Sequence, residues 1–372
     1  MIVPALDLVA QHRAIAAAVV ARVMAVVESQ QFILGRPVLD LEAAIAGLSH
    51  AAHGVGVASG TDALLLPLRA LDLAPGDEVI TTPFSFFATA GTIHNAGGRP
   101  VFVDIEPDTF NIDVAQVEAA ITPRTRAVMP VHLFGQMAAM ERLLPLAARH
   151  GFAVIEDACQ AIGARRRVGG TWRMAGELGH ASGFSFYPTK NLGGWGDGGM
   201  VVTSDQRLAD RVRRLRTHGG TKTYYHDEVG TNSRLDALQA AVLLAKLPFL
   251  AGWSAARRAH AAWYSAALAG LPEVRTPASD PANEHIFHQY VVGVDRRDAL
   301  QAHLKAAGIG TAVYYPLPLH RQRCFAYLGL ADGAFPVAEE AARRVLALPM
   351  YPELTEAQRQ HVVTSIQAFF GR

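Results

Sequence analysis

Cysteine is scarce in this chain. Among 372 residues only Cys159 and Cys324 are present. Two thiols so far apart frame neither a disulfide scaffold nor a zinc site. Cys159 follows Asp157-Ala158 at an expected buried strand end, which suits a packed, reduced thiol in a cytoplasmic protein. Net charge is also lacking: the formal total is +1, with 18% charged residues. That balance argues against nucleic acid or an anionic membrane as a main partner. The short basic clusters Arg165-Arg-Arg167 and Arg211-Val-Arg-Arg214 are mixed with apolar residues and read as solvated faces. No uncharged apolar run reaches the roughly 18 residues of a membrane helix. The Ala/Val-rich stretch Ala14–Val27 is broken by Arg22 and reads as a soluble helix. The start, Met1-Ile-Val-Pro-Ala-Leu-Asp7, has no basic region followed by an apolar core, so a cytoplasmic location is expected. Internal repeats and low-complexity tracts are missing too.

What is there is length and apolar content. At roughly 100–200 residues per domain the chain suggests two or three domains. Half its residues are hydrophobic. Short β-branched apolar runs recur at 54–59, 78–82, 100–105, 127–132, 152–157 and 199–203. Amphipathic stretches lie between several of them. One opens on Asp113-Val-Ala-Gln116, which resembles an N-cap box. Near-continuous apolar strands alternating with helices predict an α/β fold with a mostly parallel sheet covered on both faces. Ligands of such sheets sit beyond the carboxyl ends of the strands, where Ser59, Thr82, His132 and Asp157 fall. A helix is predicted over 235–247, ending before Pro248. A looser segment over 272–284 precedes a shorter α/β pattern, so a large domain over 1–250 and a smaller one over 251–372 are expected.

Three constellations carry chemistry. Ser59-Gly60-Thr61-Asp62-Ala63 joins a strand end to a Leu-rich helix. Free amides at a helix N-terminus suit a phosphate; an ordinary Ser/Thr cap explains the same residues. The run Phe152-Ala-Val-Ile-Glu-Asp157 ends on carboxylates. Burying a carboxylate there is costly without a cation or strong donor, and a pyridinium nitrogen is such a partner; a helix N-cap is the plain alternative. Gln160 stands where it could donate to a phenolic oxygen of the same ring. Last, Lys190 sits in Pro188-Thr189-Lys190-Asn191, followed by five glycines between Gly193 and Gly199. Such glycine density implies unusual dihedrals or a backbone wrapped closely around a ligand. A partly desolvated lysine is nucleophilic. Lysine and aspartate together suit a pyridoxal phosphate enzyme, with Lys190 as the Schiff-base amine and Asp157 as the ring-nitrogen partner. His285 and His288 lack acidic or cysteine partners nearby in sequence, and no metal is expected.

The ordered blocks of the chain resemble the DegT/StrS-type nucleotide-sugar aminotransferases. The resemblance is carried by Gly60-Thr-Asp-Ala-Leu64, Gly76-Asp-Glu-Val-Ile80, Pro130-Val-His-Leu-Phe-Gly-Gln136 and Glu156-Asp157. It continues through Phe184-Ser-Phe-Tyr-Pro-Thr-Lys-Asn-Leu192, Asn232-Ser-Arg-Leu-Asp236 and Tyr315-Pro-Leu-Pro-Leu-His320. It implies a fold type I transferase: a large domain with a seven-stranded, mostly parallel sheet, and a smaller α/β domain. It implies pyridoxal 5'-phosphate held by Gly60, Thr61 and Ser185 at the phosphate, with Phe86 stacked on the ring. Asn232 would reach that phosphate from the other subunit of a homodimer. Arg234, Tyr315, Trp195 and His320 are expected at the nucleotide-linked sugar. Trp195 stands where relatives often carry another residue.

The resemblance implies transamination from L-glutamate to a nucleotide-linked keto sugar. Relatives acting at carbon 4 often carry Thr-Thr-Gly-Glu-Gly-Gly after the lysine. The pattern Asn191-Leu-Gly-x-x-Gly-Asp-Gly-Gly199 is that of relatives acting at carbon 3. Two other readings are weighed against it: a sugar dehydratase, in which histidine replaces the lysine, and a non-catalytic regulatory protein. Lys190 argues against the first, and Lys190, Asp157 and Asn232 together argue against the second.

Overall fold

The computed structural model describes residues 1–372. A seven-stranded sheet forms its centre. We number its strands β1 (His53–Val57), β2 (Glu78–Thr81), β3 (Arg99–Phe102), β4 (Thr125–Val128), β5 (Ala153–Asp157), β6 (Ala181–Ser185) and β7 (Gly199–Thr203). Their spatial order is β1-β7-β6-β5-β4-β2-β3. Only β7 runs antiparallel to its neighbours; the pairings from β6 through β3 are parallel. Five of the strands are buried along their whole length or all but one residue, as expected of a sheet covered on both faces. The mostly parallel sheet and its helical cover agree with the expected fold type.

Sequence patterning explains the helices beside the site. The helix Gly60–Arg69 starts directly after β1, and Ser59 caps it by accepting the Asp62 N–H at 3.1 Å. Asp113 caps the helix Val114–Ala120, accepting from the Ala115 N–H. Gln116 reaches back to the Asp113 carboxylate rather than to its backbone, and its amide oxygen accepts from Asp104 N–H. The helix Ala237–Lys246 stops before Pro248, where a short 3₁₀ turn leads into the helix Leu250–Leu268.

A second core gathers around the strands Tyr290–Val294 and Val345–Leu348 and the final helix Glu356–Phe369. Val3 from the far N-terminus joins it, bridging to Ile309. The stretch 311–315 makes one bridge, Ala312 to Ala347, and otherwise runs as a loop along the site.

Two helical stretches reach the length and hydropathy of a membrane span once charged residues are allowed within them. These are Leu8–Ser29, with mean hydropathy 1.4, and Ala237–Leu268, with 1.3. The second is half buried within the protein. The first seats Ile15 and Val19 against Val242 and Ala245.

Candidate active site

A cavity of about 460 Å³ opens at the carboxyl ends of the parallel strands. Gly60, Asp157, Gln160, Ser185, Lys190 and Tyr315 all face it, as do Thr61 and Phe86. Residues up to 255 apart in sequence thus meet in one place.

Gly60 is required by close approach. A Cβ there would fall 2.5 Å from the Ser185 Cβ. The first amides of the helix Gly60–Arg69 have no intrahelical acceptor. Ser185 Oγ accepts the Tyr187 N–H at 3.3 Å, which leaves its own proton for a ligand. Together these groups form a patch of donors at one end of the cavity.

Strand alternation separates the two carboxylates of β5. Glu156 points away from the cavity and is fully buried. Burial pushes its carboxyl up, but His132 Nε2 at 2.7 Å and the N–H groups of Gly176, Leu178 and Gly179 hold it below the usual range. The Ala138 N–H donates to His132 Nδ1, so the His132 proton sits on Nε2 and is given to Glu156. His132, which ends its strand run, is therefore a structural strut and does not face the cavity. Asp157 points the other way. Its Oδ1 accepts the Cys159 N–H at 3.2 Å and its Oδ2 accepts the Thr89 hydroxyl at 2.7 Å.

Lys190 follows a turn in which its N–H donates to the Tyr187 carbonyl at 2.8 Å. The residue is half-buried and lines the cavity. Desolvation pushes its amine below the ordinary lysine range, against the opposing pull of Cys159 and Asp157. None of the glycines from Gly193 to Gly199 adopts positive φ. They serve close packing instead: a Cβ on Gly199 would stand 2.2 Å from the Ser59 carbonyl oxygen.

Gln160 is oriented by what it touches. The Phe134 N–H can only donate, and it meets Gln160 Oε1 at 2.9 Å. The amide NH₂ therefore faces Tyr315 Oη at 3.0 Å and the cavity. Burial pushes the Tyr315 hydroxyl pKa up, keeping it a donor.

Four expected residues lie elsewhere in this chain. Asn232 is exposed on a loop bridged to Thr217, and Arg234 lines a separate open cavity of about 1010 Å³ formed by 217–234. Trp195 packs edge-on against His12, with centroids 5.4 Å apart, and its N–H donates to Gln239 Oε1. The expectation of His320 at the substrate is corrected. Its side chain is buried, its Nε2 lies 3.1 Å from Glu339 Oε1, and its ring packs edge-on against Phe335. It is a core residue behind the loop that carries Tyr315.

Sequence reasoning passed over three cavity neighbours. Ser85, in the bend before the helix Ala88–Asn95, and Thr89, in its first turn, bring their hydroxyls within 2.8 Å of each other. His288 was weighed only as a metal ligand. Its Nδ1 lies 3.0 Å from Asn191 Oδ1, and burial, with Lys190 and Arg257 nearby, pushes it well below the usual histidine range. His285 stacks flat on Phe287 at 3.9 Å, held neutral by burial.

This donor set fits a phosphorylated pyridine aldehyde. Amides and hydroxyls gather where only glycine fits, a carboxylate stands ready for a cationic ring nitrogen, and a desolvated amine lies between. Fold and cavity together define a pyridoxal phosphate enzyme of fold type I. The chain belongs to the DegT/DnrJ/EryC1/StrS aminotransferase family, whose model matches residues 13–367. It is thus an enzyme, a pyridoxal-phosphate-dependent aminotransferase. It is 47% identical to a UDP-N-acetyl-3-dehydro-alpha-D-glucosamine 3-aminotransferase of Acidithiobacillus ferrooxidans, over 98% of this chain and 97% of that one. It is 52% identical to a pleiotropic regulatory protein of Geobacillus stearothermophilus, over 100% and 99%. The crystal structure of S. venezuelae DesV superposes with a TM-score of 0.96 at 44% identity, covering 100% of this chain and 99% of that one.

Proposed function

We propose that this aminotransferase moves the amino group of L-glutamate to carbon 3 of a nucleotide-linked 3-keto sugar. The observation that carries the reading is the meeting of Lys190, Asp157 and Gln160 in one cavity with the Gly60–Ser185 donor patch. The carbon-3 choice is supported by the Asn191–Gly199 pattern and by the printed activity of the Acidithiobacillus relative.

In this reading Gly60, Thr61 and Ser185 hold the cofactor phosphate, with Asn232 supplied by a second subunit. Asp157 holds the proton of the ring nitrogen, Gln160 donates to the phenolic oxygen, and Phe86 covers a ring face. Phe86 is 57% exposed in the chain alone, so it is free to take that place. Bound there, pyridoxal phosphate supplies an aldehyde that exchanges amines and a ring that draws electrons from the adjoining carbon. Lys190 Nζ then works as base and acid. Its burial favours the neutral amine, which takes the proton from the donor's α-carbon and returns it on the same face. The keto sugar is aminated by the reverse sequence, and kinetics are ping-pong. Tyr315 and Trp195, with Arg234 of a second subunit, position the sugar nucleotide.

A cytoplasmic homodimer is part of this reading. The outward face of the helix Leu8–Ser29 exposes Val9, Val20 and Met24. Tyr224 is 91% exposed near the tip of the 217–234 loop, an apolar side chain suited to a partner's surface. Residues 251–372, joined by Val3, act as the smaller domain.

The test is a panel of 2-, 3- and 4-keto sugar nucleotides offered with glutamate. Turnover confined to 3-keto compounds is expected; preferred use of a 4-keto compound overturns the carbon-3 assignment. A regulatory role is the second reading, favoured by the name of the Geobacillus relative. A protein that binds pyridoxal phosphate yet turns over no keto sugar of the panel would favour it.

A further inference from the structure

Three hydroxyl and carboxyl groups form a buried row beside the cavity. Ser85 Oγ lies 2.8 Å from Thr89 Oγ1, which lies 2.7 Å from Asp157 Oδ2. Ser85 is 3% exposed, Thr89 fully buried and Asp157 5% exposed. The direction of the row follows from proton counting. An ionised carboxylate only accepts. Thr89 therefore spends its single proton on Asp157, and its oxygen is free only to accept. Ser85 must be the donor of the first bond, and it faces the cavity with lone pairs alone.

The helix makes this arrangement rigid. Ser85 lies in the bend that precedes the helix Ala88–Asn95, and Thr89 sits in its first turn. A threonine inside a helix usually returns its proton to the carbonyl four residues back. Thr92 follows that habit, its hydroxyl donating to the Thr89 carbonyl at 3.2 Å, whereas Thr89 directs its proton to Asp157. Nothing in the fold of the helix needs the Thr89 hydroxyl, and the only group it serves is Asp157.

We infer that Thr89 is a positioning residue for Asp157, and that Ser85 fixes its direction, so that a two-hydroxyl relay sets where Asp157 points and how strongly it holds a proton. The inference rests on the ring-nitrogen role proposed for Asp157. With the Cys159 N–H on Oδ1 and the Thr89 hydroxyl on Oδ2, each carboxylate oxygen has one donor from the protein. Rotation of the carboxylate is blocked, and the remaining lone pairs face the cavity. The donors also spread the negative charge, so the proton shared with a bound ring stays on the ring nitrogen rather than passing to Asp157. Removing one donor makes the carboxylate more basic and draws that proton toward it.

The experiment uses the full-length protein loaded with pyridoxal phosphate carrying ¹⁵N in the ring. The nitrogen chemical shift is followed against pH for wild type, Thr89→Val, Thr89→Ser, Ser85→Ala and Asp157→Asn. Thr89→Val keeps the shape and loses the hydroxyl. The shared proton should move toward Asp157, carrying the ring-nitrogen signal toward its unprotonated value below the midpoint, and the pair should release that proton at a pH higher by about one unit, with the glutamate half-reaction slowed roughly tenfold. Thr89→Ser should restore both, and Ser85→Ala should shift the midpoint the same way by less. A Thr89→Val midpoint equal to wild type overturns the relay. If Thr89→Val does not fold, an unshifted midpoint in Ser85→Ala overturns it. Asp157→Asn separates the two levels: a wild-type titration in that variant removes the role of Asp157 itself, whereas a changed titration there with an unchanged one in Thr89→Val removes only the relay.

Discussion

Lys246 Nζ lies 2.6 Å from the carbonyl oxygen of Gly193, tying the helix Ala237–Lys246 to the glycine loop that follows Lys190. Gln239, two turns earlier, holds the same loop through the Trp195 N–H at 2.8 Å. The lysine is 4% exposed, and burial pushes its amine down to about 8 despite the favourable charge of Glu353. The folded value lies below the unfolded one of about 10.4. Between those pH values the unfolded chain binds more protons, so stability contributed by this group rises with pH across the window. The full difference is about 3 kcal/mol. Chemical denaturation of wild type should show that rise between pH 8 and about 10, set against other groups. Lys246→Met keeps the apolar stem and should flatten it. A variant with the wild-type slope would locate the titration elsewhere.

Gly60→Ala should separate packing from chemistry. The new Cβ meets the Ser185 Cβ at 2.5 Å, and both sit on rigid elements. The helix start or Ser185 must shift, and the donor patch opens. Affinity for pyridoxal phosphate should fall by about a hundredfold, the loss of two charge-assisted hydrogen bonds. Thermal stability of the ligand-free protein should fall only slightly. Equilibrium dialysis against the cofactor decides; unchanged affinity would remove Gly60 from the phosphate site.

Lys190→Ala should lose turnover by more than about a thousandfold. Borohydride treatment of the wild-type protein should trap the cofactor on a single peptide, the one containing Lys190. Lys222, the nearest competitor in sequence, sits over the Tyr225 ring in the separate 217–234 loop. A trapped adduct in Lys190→Ala would contradict the assignment.

Much of this site was legible before any coordinates. Lys190, Asp157 and Gly60 stand at strand ends or in glycine-rich turns, and parallel-sheet topology sends such ends to one rim. Gln160, three residues past Asp157, was read from the same strand end, and Tyr315 was reached through resemblance. The failures have a common cause, which is that side-chain direction is decided in three dimensions. His320 lies five residues after Tyr315, yet a 3₁₀ turn at Leu319–Arg321 carries it inward to Glu339. The hydroxyls of Ser85 and Thr89 sit in a run of small and aromatic residues with no charge to draw attention to them. β6 was also unmarked, because Ala181-Ser-Gly-Phe-Ser185 lacks the β-branched residues of its neighbours. Its burial between β5 and β7 makes it a strand regardless.

Asp157→Asn should bind the cofactor and fold normally, since the Cys159 N–H can still meet the amide oxygen while the Thr89 hydroxyl turns to accept from the amide NH₂. It should slow the glutamate half-reaction by about two orders of magnitude or more, because the ring nitrogen loses its anionic partner. Single-turnover absorbance changes with glutamate measure this directly. A rate within about twofold of wild type would leave Asp157 with a structural role only.

Asn232 and Arg234 test the shared site. Both lie outside the Lys190 cavity of their own chain, on the loop that exposes Tyr224 and Val229. The bound phosphate and pyrophosphate would bring several negative charges, while the chain's net charge is only +1. Local donors must balance them, and arginine does so with two parallel hydrogen bonds. Asn232→Ala/Arg234→Ala and Lys190→Ala should each be inactive alone. In a twofold dimer each site draws one loop from the opposite chain. A mixed dimer then holds one site with every residue intact and one with none. After complete subunit exchange of equal amounts, activity should return to roughly a quarter of wild type per site. Exchange verified by mass-tagged subunits with no return of activity would place Asn232 and Arg234 in service of their own chain and end the shared-site model.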